Sequence, residues 1–323
     1  MPSYLQSRFN RVLDYLADRV SEKIIASKNF SLVKTEVASG CSVPTTQATT
    51  KVTVPLCISS DTSHFYIHTS DGHRFFLDAK DLHISLHVLE HGCWEDQIRS
   101  ALMQVLEPGS TFVDVGGNVG LHTLFASSIV GPQGKVYSFE PLPHLFRTLE
   151  LNVDVNGARH IVTTYQMAIS DSIGTASFAN FRTHSAMSGF TVPEERLNYF
   201  NEKRDQSVET LTVETTTLDS MFTGKRVDAL KVDVEGYEAL VIRGGQGLIK
   251  SNPEIKLILE WEPELVRNTL GDVHLEETID FLRSERFIPY LALWQQPLRQ
   301  IEWQNAAAVR SGDLILSRTP LQT

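Results

Sequence analysis

The sequence predicts an α/β protein: a Rossmann-like, largely parallel sheet with helices on both faces, preceded by an N-terminal helix and a small β segment. Three observations predict it. From about Cys93 onward, short β-prone runs alternate with helical segments. A glycine-rich turn joins the first of those runs to a helix. At 323 residues with 41% hydrophobic and 21% charged, the chain has the size and composition to bury a large core.

Taken in order, residues 3–27 read as an amphipathic helix. Leu5, Phe9, Val12, Leu13, Leu16, Val20 and Ile24 lie along one face, and Ser3 and Gln6 fit a capping box. Such a face would pack on the domain or on a partner subunit, which leaves a homo-oligomer through this helix as one alternative. Residues 39–50, rich in Ser and Thr, read as a linker. Between Val52 and about Leu82, β-prone runs separated by turn residues predict a small antiparallel sheet. Within it, His64-Phe-Tyr-Ile-His-Thr, Asp71-Gly and Phe75-Phe-Leu form a hairpin. We therefore divide the chain into an N-terminal extension, residues 1–90, and a main domain, residues 91–323.

The main domain offers strands at 111–115, 135–139, 162–167, 229–234 and 255–260, with helices at 120–130, 144–152 and 237–250 between them. A helix around 276–286 follows, then strands at 287–293 and 314–317. No helix separates those last two, so they are expected to pair antiparallel.

Bulk properties exclude several functions. A formal net charge of −10 argues against electrostatic capture of nucleic acid or of an anionic membrane. Cys41, Cys57 and Cys93 are far apart with no Cys-x-x-Cys pair, which predicts free thiols and no zinc site. No apolar run approaches the ~18 residues that would span a bilayer, and the first residues lack a secretory pattern. A cytoplasmic protein is expected.

The glycine-rich turn is Asp114-Val-Gly-Gly-Asn-Val-Gly120, following the strand Thr111-Phe-Val-Asp-Val. Gly116, Gly117 and Gly120 let the backbone turn tightly and approach a ligand. Asn118 is placed to cap the helix that follows, whose positive end suits a carboxylate. Glu140, at the end of the next strand, sits where an acid accepts hydrogen bonds from both ribose hydroxyls and repels a 2′-phosphate. Together they imply an adenosine-bearing cofactor. A dinucleotide site expects Gly-x-Gly-x-x-Gly, whereas here Asp114 stands two residues before Gly116. An acid there suits a cofactor with an ammonium group, as in S-adenosylmethionine, and favours that methyl donor over NAD.

A second informative stretch is Asp228-Ala-Leu-Lys-Val-Asp-Val-Glu-Gly236. Period-two alternation puts Lys231, Asp233 and Glu235 on one side. Charges in a buried parallel strand are costly unless paired or functional. Lys231 in mid-strand would neutralise Asp114 on a neighbouring strand, leaving Asp233 near the carboxyl end where ligands bind.

In order, Gly92-Cys-Trp-Glu95, Val113-Asp-Val-Gly-Gly-Asn-Val-Gly-Leu-His-Thr, Ser138-Phe-Glu-Pro, Thr216-Thr-Leu-Asp219 and Leu230-Lys-Val-Asp-Val-Glu-Gly-Tyr-Glu resemble the FkbM-type methyltransferases. The resemblance covers roughly residues 80–265. Gly117 departs from it, since the family commonly has alanine there. It implies a Rossmann-like class I methyltransferase acting on hydroxyl groups of sugars, glycans or polyketide-type natural products. By position, Asp114, Gly116, Asn118 and Gly120 would hold the methionine end, Glu140 the ribose, and Ala168 and Asp171 the adenine. Asp233 and Glu235 would face the methyl group and the acceptor.

An aliphatic hydroxyl is a poor nucleophile, so a general base should help. Asp233 or Glu235 is the first choice, with His122 and His184 behind them. His184 lies in a polar, weakly periodic stretch, 180–207, that reads as a lid. No metal is expected, although Asp233, Glu235, Glu260 and Glu262 offer the hard oxygens that suit Mg2+. The simpler reading of Glu260-Trp-Glu262 is a polar strand end beside the acceptor. The rival readings are an NAD-dependent oxidoreductase and a catalytically silent adenosyl-binding partner subunit. The first lacks a second dinucleotide-binding half, and the retained acids argue against the second.

Overall fold

The computed structural model describes residues 64–322 apart from 79–80, 82, 182–184, 186–187 and 191–208. The expected helix at 3–27, the linker at 39–50, the β-prone runs before residue 64, His184 and most of the expected lid lie outside the described residues.

The described chain opens with the hairpin β1 (His64–His68) and β2 (Arg74–Asp78), paired from His64↔Asp78 to His68↔Arg74. Two helices follow, α1 (Ile84–His91) and α2 (Asp96–Val105). The alternating part then runs β3 (Thr111–Val115), α3 (Leu121–Val130), β4 (Lys135–Phe139), α4 (Pro143–Val155) and β5 (Val162–Tyr165). A side sheet comprises β6 (Ala168–Ile169), β7 (Gly174–Asn180) and β8 (Glu209–Thr216). The chain re-enters the main sheet through α5 (Leu218–Phe222), β9 (Ala229–Val232), α6 (Glu238–Arg243), α7 (Gln246–Ser251) and β10 (Lys256–Glu260). It closes with α8 (Pro263–Leu270), α9 (Asp272–Ser284), β11 (Ile288–Ala292), β12 (Arg299–Gln300), α10 (Trp303–Ala306) and β13 (Asp313–Ser317).

The main sheet has eight strands in the order β12-β11-β13-β10-β9-β3-β4-β5. Strands β10, β9, β3, β4 and β5 are mutually parallel, while β13 is antiparallel to both β10 and β11. The expected antiparallel pairing at the end of the chain is therefore present, although, against expectation, the short helix α10 lies between the two strands in sequence. The topology is Rossmann-like, with the sequence order reversing at β3/β9, where such sheets bind ligands.

Strand alternation divides the core in two. Phe112, Ala229, Ile258 and Ile315 pack with α2, α3 and α4 on one face. Val113, Leu230, Leu257, Leu259 and Leu314 pack with α5, α6, α7 and α9 on the other. The hairpin joins the first core through Phe65, Ile67, Phe75 and Leu77. Asn152 of α4 fixes its edge, accepting from the Phe76 N–H at 2.7 Å and donating to the Phe76 carbonyl at 3.2 Å.

Three local expectations change. The helix expected over 237–250 is two helices, because the chain breaks at Gly244-Gly245. A Cβ on Gly244 would lie 2.1 Å from the Ser170 carbonyl oxygen, and Asp219 caps the second helix through the Gly247 and Leu248 N–H groups. The β6–β8 sheet was not anticipated; β7 and β8 pair antiparallel from Gly174↔Thr215 to Asn180↔Glu209. Cys93 is disulfide-bonded, against the expectation of three free thiols, since spacing along a chain does not report distance in space. Cys41 and Cys57 lie outside the described residues.

Candidate active site

A cleft opens at the carboxyl ends of β3, β4, β9 and β10. The turn after β3 forms one wall. Gly116 and Gly117 both donate N–H to the Phe139 carbonyl, at 3.0 and 2.9 Å, which pins the turn to the end of β4. Gly116 has φ +85°, and a Cβ there would meet the Asp233 carbonyl oxygen at 1.9 Å. Only glycine fits where the two strand ends meet.

Glu140 projects from the end of β4. Its Oε2 accepts the Asn118 N–H at 3.0 Å and its Oε1 the Leu142 N–H at 2.9 Å. Burial nevertheless pushes this carboxyl up to about 7. Each oxygen keeps a lone pair beyond its single backbone donor, so the group remains able to accept from a ligand.

Strand β9 supplies the charge. Asp114 and Lys231 are register partners on β3 and β9. Lys231 Nζ lies 3.7 Å from Asp114 Oδ1 and 2.9 Å from Asp233 Oδ2, with the lysine side chain 2% exposed. The expected cross-strand pair is thus present, although the closer partner is Asp233. Burial alone would lower Lys231, but Asp233, Asp114 and Glu95 outweigh it and hold the ammonium protonated. Burial raises Asp233 in turn, but Lys231 outweighs it and keeps the carboxylate ionised. Past Asp233 the strand alternation ends, because Glu235 (φ +56°) and Gly236 (φ +94°) turn the chain away. Buried Glu238 holds that turn by accepting from the Val234 N–H at 3.0 Å and the Gly236 N–H at 3.2 Å.

Acceptor oxygens of Asp233, Glu235 and Glu260 lie within 4.8 Å of one another. Burial, then Glu235 and Asp233, pushes Glu260 well above the ordinary carboxylate range.

Among the predicted cofactor residues, Gly116, Gly117, Asn118, Glu140 and Ala168 line the cleft, as do Asp233, Glu235 and His122 of the predicted chemical residues. Three others do not. Asp114 is 1% exposed, its Oδ2 accepting from Thr123 Oγ1 at 2.6 Å, so it braces the loop from behind. Gly120 starts α3 behind the turn, against Leu149. Asp171 lies outside the wall, 3.5 Å from Arg243. Asn118 does not cap α3. Its backbone is left-handed (φ +48°), and its Oδ1 accepts from its own neighbour, the Val119 N–H, at 2.9 Å.

Sequence reasoning missed Glu95, which reaches into the cleft and meets His122 Nε2 at 2.9 Å. Its place in Gly92-Cys-Trp-Glu95 was the available signal. Of the four tryptophans, Trp94 lines the cleft, Trp261 is buried, Trp303 donates to the Phe287 carbonyl, and Trp294 is exposed.

Residues 114–289 match the family model of the methyltransferase FkbM domain. The chain belongs to this family. It is 30% identical over 200 residues to "Methyltransferase sdnD" of Sordaria araneosa, a match covering 55% of this chain and 76% of that one. It is 27% identical over 201 residues to "Hexuronic acid methyltransferase AglP" of Haloferax volcanii, covering 60% and 75%. Over 87 residues it is 37% identical to "31-O-demethyl-FK506 methyltransferase FkbM" of Streptomyces tacrolimicus, covering 26% and 32%. This protein is a methyltransferase of the FkbM family, and the oxidoreductase alternative is not favoured. Among the described residues, no helix is long and apolar enough to cross a membrane.

Proposed function

We propose that this methyltransferase uses S-adenosylmethionine to methylate a hydroxyl oxygen of a sugar, a glycan unit or a polyketide-type natural product. The observation that carries the reading is the charge of the cleft. Asp233 and Glu235 line it at the end of β9, and Lys231 is the lysine that faces them. Such a surface attracts a ligand bearing ammonium and sulfonium charge and repels a pyrophosphate. The residues present fit the cofactor. Glu140, with lone pairs to spare, suits a ribose diol. Gly116 and Gly117 let the loop close onto Asp233 and Ser138 beside Asn118, and Ala168 would present a small apolar wall to an adenine. The cofactor supplies an already activated methyl group.

The protein's task is then to bind, orient and dry the acceptor. Asp233 and Glu235, at the β9 end, would position the acceptor hydroxyl, an alignment worth several kcal/mol. Trp94, Phe178 and Phe190 in the same cleft would exclude water. Oxygen as the receiving atom is favoured by the carboxylates beside it, which suit a hydroxyl proton. Two relatives bear names that point to hydroxylated acceptors: a 31-O-demethyl compound and a hexuronic acid. We place the cofactor residues in the domain 91–323 and assign the protein no metal.

Calorimetry with S-adenosylmethionine and with NADH tests the cofactor, and binding of NADH alone would overturn it. Label transfer from methyl-labelled cofactor to hexuronic acids and to a cell's small-molecule fraction, followed by mass spectrometry, tests the acceptor. A gain of about 14 daltons on oxygen is the expected product; a product methylated on nitrogen or carbon would overturn the assignment.

A further inference from the structure

Methyl transfer to a hydroxyl needs a group that takes the proton, and the carboxylates of the cleft are not equal candidates. Asp233 is held ionised by Lys231 at 2.9 Å. A carboxylate paired this closely with an ammonium is a poorer base than one that is not. Glu260 lies at the opposite extreme, its carboxyl pushed well above the ordinary range by burial and then by Glu235 and Asp233. Glu140, at the end of β4, is already assigned to the ribose in the reading above, each oxygen also accepting one backbone N–H.

Glu95 differs in backbone, partner and setting. It is the N-cap residue of α2, yet its side chain makes no capping hydrogen bond. Its backbone is left-handed, φ +44° and ψ +72°, a conformation that is strained for a non-glycine residue without a compensating role. The side chain instead turns into the cleft and meets His122 Nε2 at 2.9 Å, remaining 29% exposed there. Local helix stability has been given up for a contact between two elements. His122 serves no other visible purpose. It is buried on α3, and its Nδ1 has no hydrogen-bond partner. Burial, reinforced by Lys231, drives the imidazole down to about 3, so the ring is neutral and, with its proton on Nε2, donates to Glu95.

We infer that Glu95 accepts the proton of the acceptor hydroxyl, and that His122 is the positioning residue that aims it. This rests on the methyl-transfer reading above. The acceptor oxygen bonds to the methyl carbon as its hydrogen passes to a Glu95 oxygen. The carbon–sulfur bond breaks with its electron pair left on sulfur, so the sulfonium charge and the carboxylate charge disappear together. The titratable groups facing Glu95 are His122 from α3, Lys231 and Asp233 from β9, Asp313 from β13, and His83 before α1. Burial and then Asp233 raise the carboxyl to about 7, close to where a general base works best.

The test uses the full chain, wild type and the variants Glu95→Gln, Glu95→Asp and His122→Asn. Calorimetry with S-adenosylmethionine should give Glu95→Gln an affinity within threefold of wild type. In ¹⁵N-histidine-labelled protein, the ring signals absent from His122→Asn should shift with a midpoint near pH 7. That transition should vanish in Glu95→Gln and return in Glu95→Asp. With glucuronic acid as the probe acceptor, turnover of Glu95→Gln should fall by about 100-fold at unchanged KM, and the wild-type rate should rise to a plateau above pH 7. A transition that persists in Glu95→Gln overturns the inference, as does a tenfold loss of cofactor affinity, which would make Glu95 a cofactor ligand. Should the probe not turn over in the wild type, the ring titration and calorimetry decide. Failure of the wild type to bind S-adenosylmethionine would instead refute the functional reading itself.

Discussion

The two walls of the cleft are built by different physics. The β3–β4 wall, from Gly116 to Glu140, is held by backbone: two glycine N–H groups on the Phe139 carbonyl, and Glu140 bridging the Asn118 and Leu142 N–H groups. The β9–β10 wall, from Lys231 to Glu260, is held by charge, with Lys231 set among Asp114, Asp233 and Glu95. The first is a shape that excludes side chains; the second is an electrostatic balance around one buried ammonium. Substitutions should therefore fail for different reasons on the two sides.

The largest effect is expected where the charge balance breaks. Lys231→Met leaves Asp114 and Asp233 without their buried cation and should destabilise the fold by about 3–5 kcal/mol, read by urea denaturation. A loss below about 1 kcal/mol would mean that the carboxylates simply take up protons. On the backbone side, Gly116→Ala drives a Cβ into the Asp233 carbonyl oxygen. It should weaken S-adenosylmethionine binding by roughly 100-fold, about 2.7 kcal/mol, and lower folding stability as well, because the end of β9 must move. Glu140→Ala removes two hydrogen-bond acceptors from the same wall and should weaken cofactor binding by about 10- to 100-fold in calorimetry. An unchanged dissociation constant would remove Glu140 from the ribose site.

Smaller effects separate the walls by pH and by chelation. Glu95, Glu140 and Glu238 are all pushed up to about 7 from an ordinary value of 4.5. The folded protein therefore keeps protons that the unfolded chain releases. Their contribution to stability is fully present below about pH 4.5 and fades as pH rises through 7. The ligand-free protein should melt at a higher temperature at pH 6 than at pH 8, and saturating S-adenosylmethionine should narrow that gap. Methyl transfer should survive EDTA; a loss restored by Mg2+ would make Asp233, Glu235 and Glu260 a cation site.

The sheet was legible because its signals are local. Strand β3 runs Thr111–Val115 and β4 Lys135–Phe139, as expected from their apolar β-prone runs. The Asp114–Lys231 pairing followed from the cost of burying a charge without a partner. The side sheet was hidden because β7 and β8 are polar on much of their surface and the chain between them shows no period. The helix break at Gly244 depends on Ser170, a residue 74 positions away (244 − 170). The surroundings of Asp114 were hidden for a related reason. Its position in the motif marked it as important, but only the packed structure shows Thr123 and Lys231 occupying the space around it.

By itself, the sequence determined that this chain folds as a Rossmann-like sheet, that a glycine-built turn follows β3, and that acids gather at the end of β9. Glycine placement, apolar periodicity and buried charge are local or pairwise properties, and they survive in a linear text. Only the tertiary structure decided which acid each base or donor serves. Hydrogen bonds and burial depend on neighbours that the chain brings together from distant positions. It spends Asp114 and Asp233 on Lys231, keeps Glu140 open to a ligand, and turns Glu95 away from its own helix to meet His122.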